Sequence, residues 1–199
     1  MTRHRSHLSL PVRSPDPEAG VTDILIVCRA NRCRSPFAAA IGERLAQDLP
    51  IRFHSAGLLG GGHPMPAPGL AVGKRLGYDF SGHLSRELDV YDLDGFDLIL
   101  AADRGVARDL LAANSDIWPR LFTLKQFSRW IDDHPRSTDA PVGSWLDTAA
   151  VGRSRRAMLG ADAADDLEDP VVLPAPAWES MADELSSQLR EIVNGLETP

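Results

Sequence analysis

The sequence predicts an α/β protein with a parallel sheet, because short apolar runs alternate along the chain with longer helix-like stretches. Strand-like runs occur at 23–28, 51–54, 96–101 and 120–124. Helix-like stretches occur at 36–48, 67–76, 104–113 and 176–196. A chain of 199 residues that is 43% hydrophobic can bury one core, so a single domain is expected. We predict a four-stranded parallel twisted sheet over residues 23–196, with helices on both faces joined by right-handed crossovers.

The first strand leads into the most informative segment of the chain. Residues 24–27 (ILIV) form a continuous aliphatic run, which is typical of a strand buried on both faces. Pro36 suits the first turn of the helix that follows. Residues 28–35 therefore lie between a strand's carboxyl end and a helix's amino end, where backbone N–H groups converge on an anion. Because Cys28 opens this turn and Arg34 lies near its end, we predict a phosphate-binding loop with a nucleophilic thiol in its floor.

The residue types of this loop suit that chemistry. A helix N-terminus and an adjacent guanidinium favour the thiolate, which is the nucleophilic form of cysteine. Arg34 presents a planar fork that can bind two phosphoryl oxygens. Asn31 tolerates the left-handed backbone conformation that such a curl demands, and Ser35 is placed to donate its hydroxyl hydrogen to the sulfur. The residues expected to bind phosphate or another oxyanion are Arg29, Ala30, Asn31, Arg32, Cys33, Arg34 and Ser35.

Composition narrows the class of protein and its partners. The net charge is −7 and the isoelectric point is about 5.3, which argues against nucleic acid or acidic membranes as general partners. The two cysteines, Cys28 and Cys33, both lie in the loop, so no disulfide framework is expected. No apolar run reaches membrane-spanning length, and no residue pattern predicts a metal site or a cofactor. We expect a cytoplasmic protein in which residues 1–22, basic and proline-containing, form a flexible extension.

Several segments carry a pattern that goes beyond the loop. The first is C-R-A-N-R-C-R-S-P, with its C-x5-R-[ST] core. Others follow in order at 54–57 (HSAG), 77–80 (GYDF), 83–86 (HLSR) and 96–103 (FDLILAAD), and Asp169-Pro170 comes late in the chain. As a set they resemble the landmarks of low-molecular-weight protein tyrosine phosphatases, over residues 23–133 and 165–196. The resemblance implies that family's fold.

The resemblance also implies a mechanism. Cys28 would attack phosphorus to give a cysteinyl phosphate, while Arg34 and the loop amides stabilise the charge on the oxygens. Asp169 would protonate the leaving oxygen and then activate water, a proton transfer typically worth about 10²–10⁴ in rate. The implied substrate is phosphotyrosine in proteins, a tyrosine kinase being one candidate, and no metal or cofactor is needed. The side chains expected to hold the loop asparagine in its strained conformation are Ser55 and His83.

The chain departs from the family pattern around the pocket. Ala30 stands where the family usually has glycine, which requires a negative φ at that residue. Residues 58–69 contain no aromatic side chain, and valines follow Asp169-Pro170 where the family often places aromatic residues beside the phosphotyrosine ring. Trp145 and Trp178 are the candidates to replace them.

Residues 134–163 form an extra insertion before the acid loop. We predict a surface helix with a solvated basic face, and the alternative is a lid or docking site over the pocket. The basic residues concerned are Arg153, Arg155 and Arg156.

The second cysteine predicts redox regulation. In a curled loop Cys33 could approach Cys28 and capture it as a reversible disulfide after oxidation by peroxide. The alternative is a packing cysteine in the first helical turn.

Rival functions remain open. One is an arsenate reductase-like enzyme on the same fold, which would need additional cysteines after Cys33, and the sequence has none there. Another is a non-catalytic phosphate-binding module. A phosphoarginine substrate is not expected, because Arg32 near the pocket rim would repel its guanidinium.

Overall fold

Four parallel strands in the order β2-β1-β3-β4 form the centre of the structure, a computed structural model that describes residues 12, 15, 18, 20–136 and 140–197. The strands are β1 (Thr22–Cys28), β2 (Ile51–Gly57), β3 (Leu98–Ala101) and β4 (Leu121–Thr123). β1 pairs along its whole length with β2, and through Ile24–Val27 with β3. All the neighbouring strands run parallel, so the predicted four-stranded parallel sheet is confirmed.

Helices cover both faces of this sheet, as predicted. They are α1 (Arg34–Leu45), α2 (Ala67–Arg75), α3 (Arg104–Ala113), α4 (Leu124–Asp133), α5 (Val142–Ala149) and α6 (Ala175–Leu196), with short 3₁₀ helices at Ser115–Arg120 and Arg155–Met158. Successive side chains of a strand point to opposite faces. Ile24 and Ile26 therefore meet the core formed with α1, α2, α4, α5 and α6, whereas Leu25 and Val27 meet the core formed with α3. This double burial explains the continuous aliphatic run of β1.

Trp178 of α6 lies inside the first of these cores. Its side chain is fully buried, and its ring centroid is 5.9 Å from that of Phe37. A side chain at Gly69 in α2 would overlap the indole, so this glycine lets α2 approach α6. The expectation that Trp178 lines the substrate pocket is therefore wrong.

A glycine and an aspartate have different roles near the ends of two helices. α6 runs through Gly195 to Leu196, so Gly195 does not end it. A Cβ at this position would lie 2.7 Å from Cδ1 of Ile131, so the glycine permits close packing of α6 on α4. Asp103 caps α3, because its Oδ1 accepts a hydrogen bond from the Val106 amide at 2.8 Å.

Residues 134–163, predicted to be an insertion, place their helix α5 at the end of the sheet opposite Cys28. A Cβ at Gly143 in α5 would lie 3.2 Å from Oδ1 of Asp97, which directly precedes β3. Cys28 ends β1, so in a parallel sheet it lies at the other end. Trp145 packs against Trp130 of α4 with ring centroids 5.4 Å apart and ring planes tilted by 49°. α5 therefore does not begin over the loop, and neither predicted tryptophan replaces an aromatic pocket wall.

The basic residues of the insertion do not form one solvated face, which corrects the prediction. The guanidinium carbon of Arg153 lies 3.3 Å from the ring centroid of Phe122 and 4.4 Å from that of Trp118. Its nitrogens also donate to backbone carbonyls, including that of Leu121 at 2.8 Å. Arg153 thus attaches the insertion to β4 through aromatic rings and carbonyl oxygens, whereas Arg156 is exposed.

Most of the predicted extension 1–22 lies outside the described residues, so its flexibility stays a prediction. Val12 is buried, its N–H donates to the carbonyl of Glu87 at 2.6 Å, and its carbonyl accepts from the amide of Asp89 at 2.9 Å. Glu18 forms an ion pair with Arg52 at 2.9 Å. Within the described part of the chain, no helix has both the length and the apolar character needed to cross a membrane.

Candidate active site

Asn31 holds the loop between β1 and α1 in a tight curl. Its φ is +49°, in the left-handed region that few residues adopt. Its Nδ2 donates to the hydroxyls of Ser35 and Ser55, both at 3.0 Å, and its Oδ1 accepts from the amide of Arg86 at 2.9 Å. Its backbone carbonyl oxygen lies 2.7 Å from Nε2 of His83. The structure thus brings Ser55 and His83 to Asn31. It also brings the backbone amide of Arg86, which could not be predicted from residue types.

The protonation of His83 follows from this contact. The carbonyl of Asn31 can only accept, so Nε2 of His83 carries the hydrogen. Burial lowers the pKa of His83, and the bond to Asn31 opposes that shift without cancelling it. The imidazole is therefore a neutral donor to the loop near neutral pH.

Cys28 and Ser35 meet at the floor of the loop. The sulfur of Cys28 is 3.1 Å from the hydroxyl oxygen of Ser35, and both residues are buried. The Ser35 hydroxyl has one hydrogen and two acceptors, because the carbonyl of Ala56 also lies at 3.1 Å. This hydrogen can turn toward the sulfur when negative charge is present there.

Arg34 connects the loop to two carboxylates. Only 5% of the residue is exposed. One terminal nitrogen donates to Oδ2 of Asp103 at 2.8 Å and to the carbonyl of Leu167 at 3.2 Å, and the other donates to Oδ2 of Asp169 at 2.6 Å. Burial by itself would lower the pKa of Arg34, but Asp169, Cys28 and Asp103 outweigh it and raise the pKa. Arg34 is therefore a permanently charged group beside the thiol.

The arrangement of Arg34 leaves one donor unused. Its Nε is buried and has no hydrogen-bond partner among the residues that the structure describes. A buried guanidinium N–H without an acceptor is costly, and an oxyanion bound in the loop would supply one. Asp169, in contrast, is half-exposed, with 37% of its side chain accessible, as a group that contacts substrate must be.

The backbone of the loop is packed too closely for a side chain on the neighbouring strand. A Cβ at Gly57 would lie 2.7 Å from the amide nitrogen of Asn31 and 2.8 Å from the carbonyl carbon of Ala30. Asn31 is the only non-glycine residue with positive φ in the described part of the chain. The φ of Ala30 is therefore not positive, as an alanine at this position requires.

Cys33 points away from solvent, at the residue before α1. Its sulfur lies 3.6 Å from the sulfur of Met181 in α6, and the residue is 3% exposed. Burial raises the pKa of the Cys33 thiol, and the negative charges of Asp169 and Cys28 raise it further. This placement favours the packing interpretation, whereas the redox role stays a prediction.

The remaining loop arginines lie on the rim. Arg29 forms an exposed ion pair with Asp109 of α3 at 2.6 Å. Nε of Arg32 donates to the carbonyl of Pro64 at 2.9 Å, so its guanidinium is directed toward the 58–69 segment. These two side chains contribute positive charge near the loop without entering its floor.

Exposed aliphatic side chains take the place of aromatic walls. The amide of Leu59 donates to the carbonyl of Arg29 at 3.1 Å, so Leu59 sits beside the loop, and it is 50% exposed. Val172 follows the predicted acid on the other segment and is 87% exposed. The exposed hydrophobic side chains of these two segments are therefore aliphatic and not aromatic.

Together these groups supply what phosphoryl transfer requires. A buried sulfur, a fixed guanidinium and a half-exposed carboxylate meet at the carboxyl ends of the strands. In the sequence, Asp103 was only the last residue of the segment 96–103, with no predicted contact to Arg34. Its bond to Arg34 depends on β1 and β3 being neighbours, which the residue pattern alone did not specify.

Comparison with known proteins agrees with this geometry. The sequence profile of the family described as low molecular weight phosphotyrosine protein phosphatase matches residues 23–144. The chain belongs to this family. The match includes the loop, whereas the segment with Asp169 lies beyond it.

Two bacterial proteins are among the relatives of this chain. The low molecular weight protein-tyrosine-phosphatase YfkJ of Bacillus subtilis (strain 168) is 40% identical over 86 residues, covering 40% of this chain and 55% of the relative. The low molecular weight protein-tyrosine-phosphatase Etp of Escherichia coli (strain K12) is 32% identical over 126 residues, covering 59% of this chain and 80% of the relative. The chain thus spans little more than half the length of YfkJ.

Solved structures of the low molecular weight phosphatase family share the fold. The low molecular weight protein tyrosine phosphatase from T. tengcongensis has a TM-score of 0.66 and 26% identity, covering 88% of this chain and 99% of that one. The YwlE arginine phosphatase from Geobacillus stearothermophilus has a TM-score of 0.64 and 25% identity, covering 88% and 92%. The fold is therefore shared by proteins named for different phosphoryl substrates.

Proposed function

We propose that this chain is a cysteine-dependent phosphomonoesterase that dephosphorylates phosphotyrosine in proteins. The observation that carries the proposal is the contact of Arg34 with Asp169 at 2.6 Å, on the loop whose first residue is Cys28. The proposal assigns Cys28 as the nucleophile, Arg34 as the oxyanion-binding group and Asp169 as the proton donor, and this contact supports it.

In the first step, the sulfur of Cys28 attacks phosphorus in line with the leaving oxygen. Arg34 and the loop amides bind the equatorial oxygens, and the unused Nε–H of Arg34 is one further donor for them. Asp169 enters this step as the carboxylic acid and gives its proton to the departing oxygen, which leaves it as the carboxylate. The Ser35 hydroxyl stabilises the thiolate before attack and as it leaves.

In the second step, Asp169 accepts a proton from the water that attacks the cysteinyl phosphate, and Cys28 departs as the thiolate. No metal ion or cofactor takes part in either step. Arg34 neutralises the negative charge on the phosphoryl oxygens, and the neighbouring acidic groups raise its pKa.

The side chains around the loop favour phosphotyrosine over phosphoarginine as the substrate. Arg32 lies at the loop with its guanidinium bonded to the 58–69 segment, where it would repel a cationic substrate. Leu59 and Val172 offer apolar surface to an aromatic ring. The arsenate reductase-like alternative lacks a cysteine after Cys33. A phosphotyrosine protein, such as a tyrosine kinase, remains the predicted partner, in the cytoplasm.

The deciding experiment measures hydrolysis of p-nitrophenyl phosphate and of phosphotyrosine, phosphoserine and phosphoarginine peptides. We expect turnover of the aryl and tyrosine substrates, and Cys28→Ser should reduce it to background because a hydroxyl is a much weaker nucleophile. Phosphate binding should persist in that variant. Binding of phosphate without turnover by the wild-type chain would instead support the non-catalytic module.

The redox prediction has its own test. Peroxide would oxidise the thiolate of Cys28 to the sulfenic acid, and the thiol of Cys33 would condense with it to a disulfide with loss of water. We expect activity lost to peroxide to return with a dithiol reductant, and Cys33→Ser to lose activity irreversibly. Sulfinic or sulfonic Cys28 as the sole product in wild type, identified by mass spectrometry, would contradict this role.

A further inference from the structure

Asp165 is a buried carboxylate four residues before the proposed acid. It is 3% exposed, and its Oδ2 accepts from Nε of Arg104 at 2.7 Å. Its Oδ1 accepts from a terminal nitrogen of Arg129. Because Arg104 opens α3 and Arg129 belongs to α4, one carboxylate joins the segment that leads to Asp169 to two helices.

The stretch after Asp165 is attached directly to the active site. The amide of Leu167 donates to the carbonyl of Ala102 at 2.9 Å, and its carbonyl accepts from Arg34 at 3.2 Å. Asp169 then accepts from Arg34 at 2.6 Å. The backbone between Asp165 and Asp169 is therefore fixed at both ends, with the arginine of the loop at one end and two arginines of the scaffold at the other.

The part of the segment farther from the site has separate anchors. Arg108 of α3 donates to the carbonyls of Met158 and Gly160 at 2.8 and 2.7 Å. Lys125 of α4 donates to the carbonyl of Ala163 at 2.9 Å. Loss of the Asp165 carboxylate would thus remove the two arginine anchors at the start of the 165–169 stretch, which would then be held by the bond of Asp166 to the Arg104 amide and by the bonds of Leu167.

We propose that Asp165 is a positioning residue for the proposed phosphatase reaction, holding Asp169 where it can protonate the leaving oxygen. The inference rests on the proposed function. Asp165 does not contact substrate, and it acts through the backbone that carries Asp169. A displacement of about 1 Å at a reacting group can cost a factor of about 10² in rate, so such a role has a measurable effect.

The test compares Asp165→Asn with wild type on aryl phosphates of graded leaving-group basicity. We expect kcat/KM to fall about tenfold for phenyl phosphate and less than about twofold for 2,4-dinitrophenyl phosphate, because only a basic leaving group needs the acid. Asp165→Asn combined with Asp169→Asn should lose no more than Asp169→Asn alone on phenyl phosphate, since both changes remove the same proton transfer.

Asp162→Asn is the matched control. Asp162 also accepts from Arg104, at 3.0 Å, but 44% of its side chain is exposed, so we expect the wild-type dependence on leaving group. Should Asp165→Asn fail to fold, Arg129→Gln removes one of the two arginine partners of Asp165. The Arg129 side chain is 53% exposed, and this variant should show the same selective loss of kcat/KM to a smaller extent.

The outcomes separate the two proposals. Two results with an active Asp165→Asn protein would overturn the positioning role and leave the proposed function standing. One is an equal loss of kcat/KM on all leaving groups, and the other is no loss on phenyl phosphate. A wild-type chain inactive on every aryl phosphate would overturn the proposed function and this inference with it.

Discussion

At the scale of single residues, Asn31 shows how the loop is maintained. A left-handed backbone at a non-glycine residue carries a conformational cost, which is borne only where the surroundings fix it. Here two serine hydroxyls, one backbone amide and one imidazole all bond to the same residue. The loop is thus preorganised by contacts from β2 and from the segment around His83 and Arg86.

The resemblance to the family identified some of the residues around Asn31 from the sequence, whereas the others could be identified only from the structure. Ser55 and His83 lie in the segments 54–57 and 83–86, which follow the family pattern. The Arg86 amide and the second role of Asp103 were not predictable, because a backbone donor has no residue signature and Asp103 reaches Arg34 only through the strand order.

The contact of His83 predicts a pH dependence of stability. The folded-state pKa of His83 is lowered from its ordinary value of 6.5, so the unfolded chain binds the proton more readily. Stability from this residue is therefore present above about pH 6.5 and declines as the pH falls below it. Thermal unfolding between about pH 5 and 7.5 should show a smaller decline for His83→Gln, which keeps a donor but does not titrate. Identical declines in both proteins would contradict this assignment.

At the scale of elements, the sequence prediction missed α4 and ended β2 too early at the joint between β1, β2 and the loop. The apolar pattern placed β2 at 51–54, but the strand continues to Gly57. Its last residues are small or polar because the loop packs directly on them, so they look like a turn when read in sequence alone.

This joint predicts that Gly57→Ala impairs the site. A Cβ there would lie 2.7 Å from the Asn31 nitrogen, which forces the loop to move. We expect kcat/KM on p-nitrophenyl phosphate to fall about tenfold to a hundredfold. Gly60→Ala is the control, because a Cβ at that position has no atom within 4 Å. Two variants with equal, wild-type activity would mean that the loop tolerates the displacement.

At the scale of the whole molecule, the four-stranded topology followed from the alternation of apolar runs and helices. The route of the insertion did not. It begins near Asp97 at the amino end of β3 and returns to the carboxyl end, where Leu167 bonds to Ala102. Short segments without periodicity carry no signal for such a path, and the packing of Arg153 on the rings of Phe122 and Trp118 is a tertiary effect.

Arg153 is expected to stabilise the whole molecule without affecting the reaction. Arg153→Met removes its bonds to carbonyls and its contact with two aromatic rings, so the free energy of unfolding should fall by about 1–3 kcal/mol. Urea unfolding measures this change, and kcat/KM should stay near the wild-type value. The exposed Arg156 provides the comparison, with Arg156→Ala changing stability by less than about 0.5 kcal/mol. Equal effects at both positions would contradict the role assigned to Arg153.

The pairing of Val12 with the stretch from Glu87 to Asp89 has a consequence for self-association. Val12 occupies two backbone groups, the carbonyl of Glu87 and the amide of Asp89, that would otherwise be open to another β-strand. If Val12 left this position while still attached to its own chain, the two groups would be free to pair with Val12 of a second copy. The acidic side chains of Glu87 and Asp89 along the same border would oppose such an exchange.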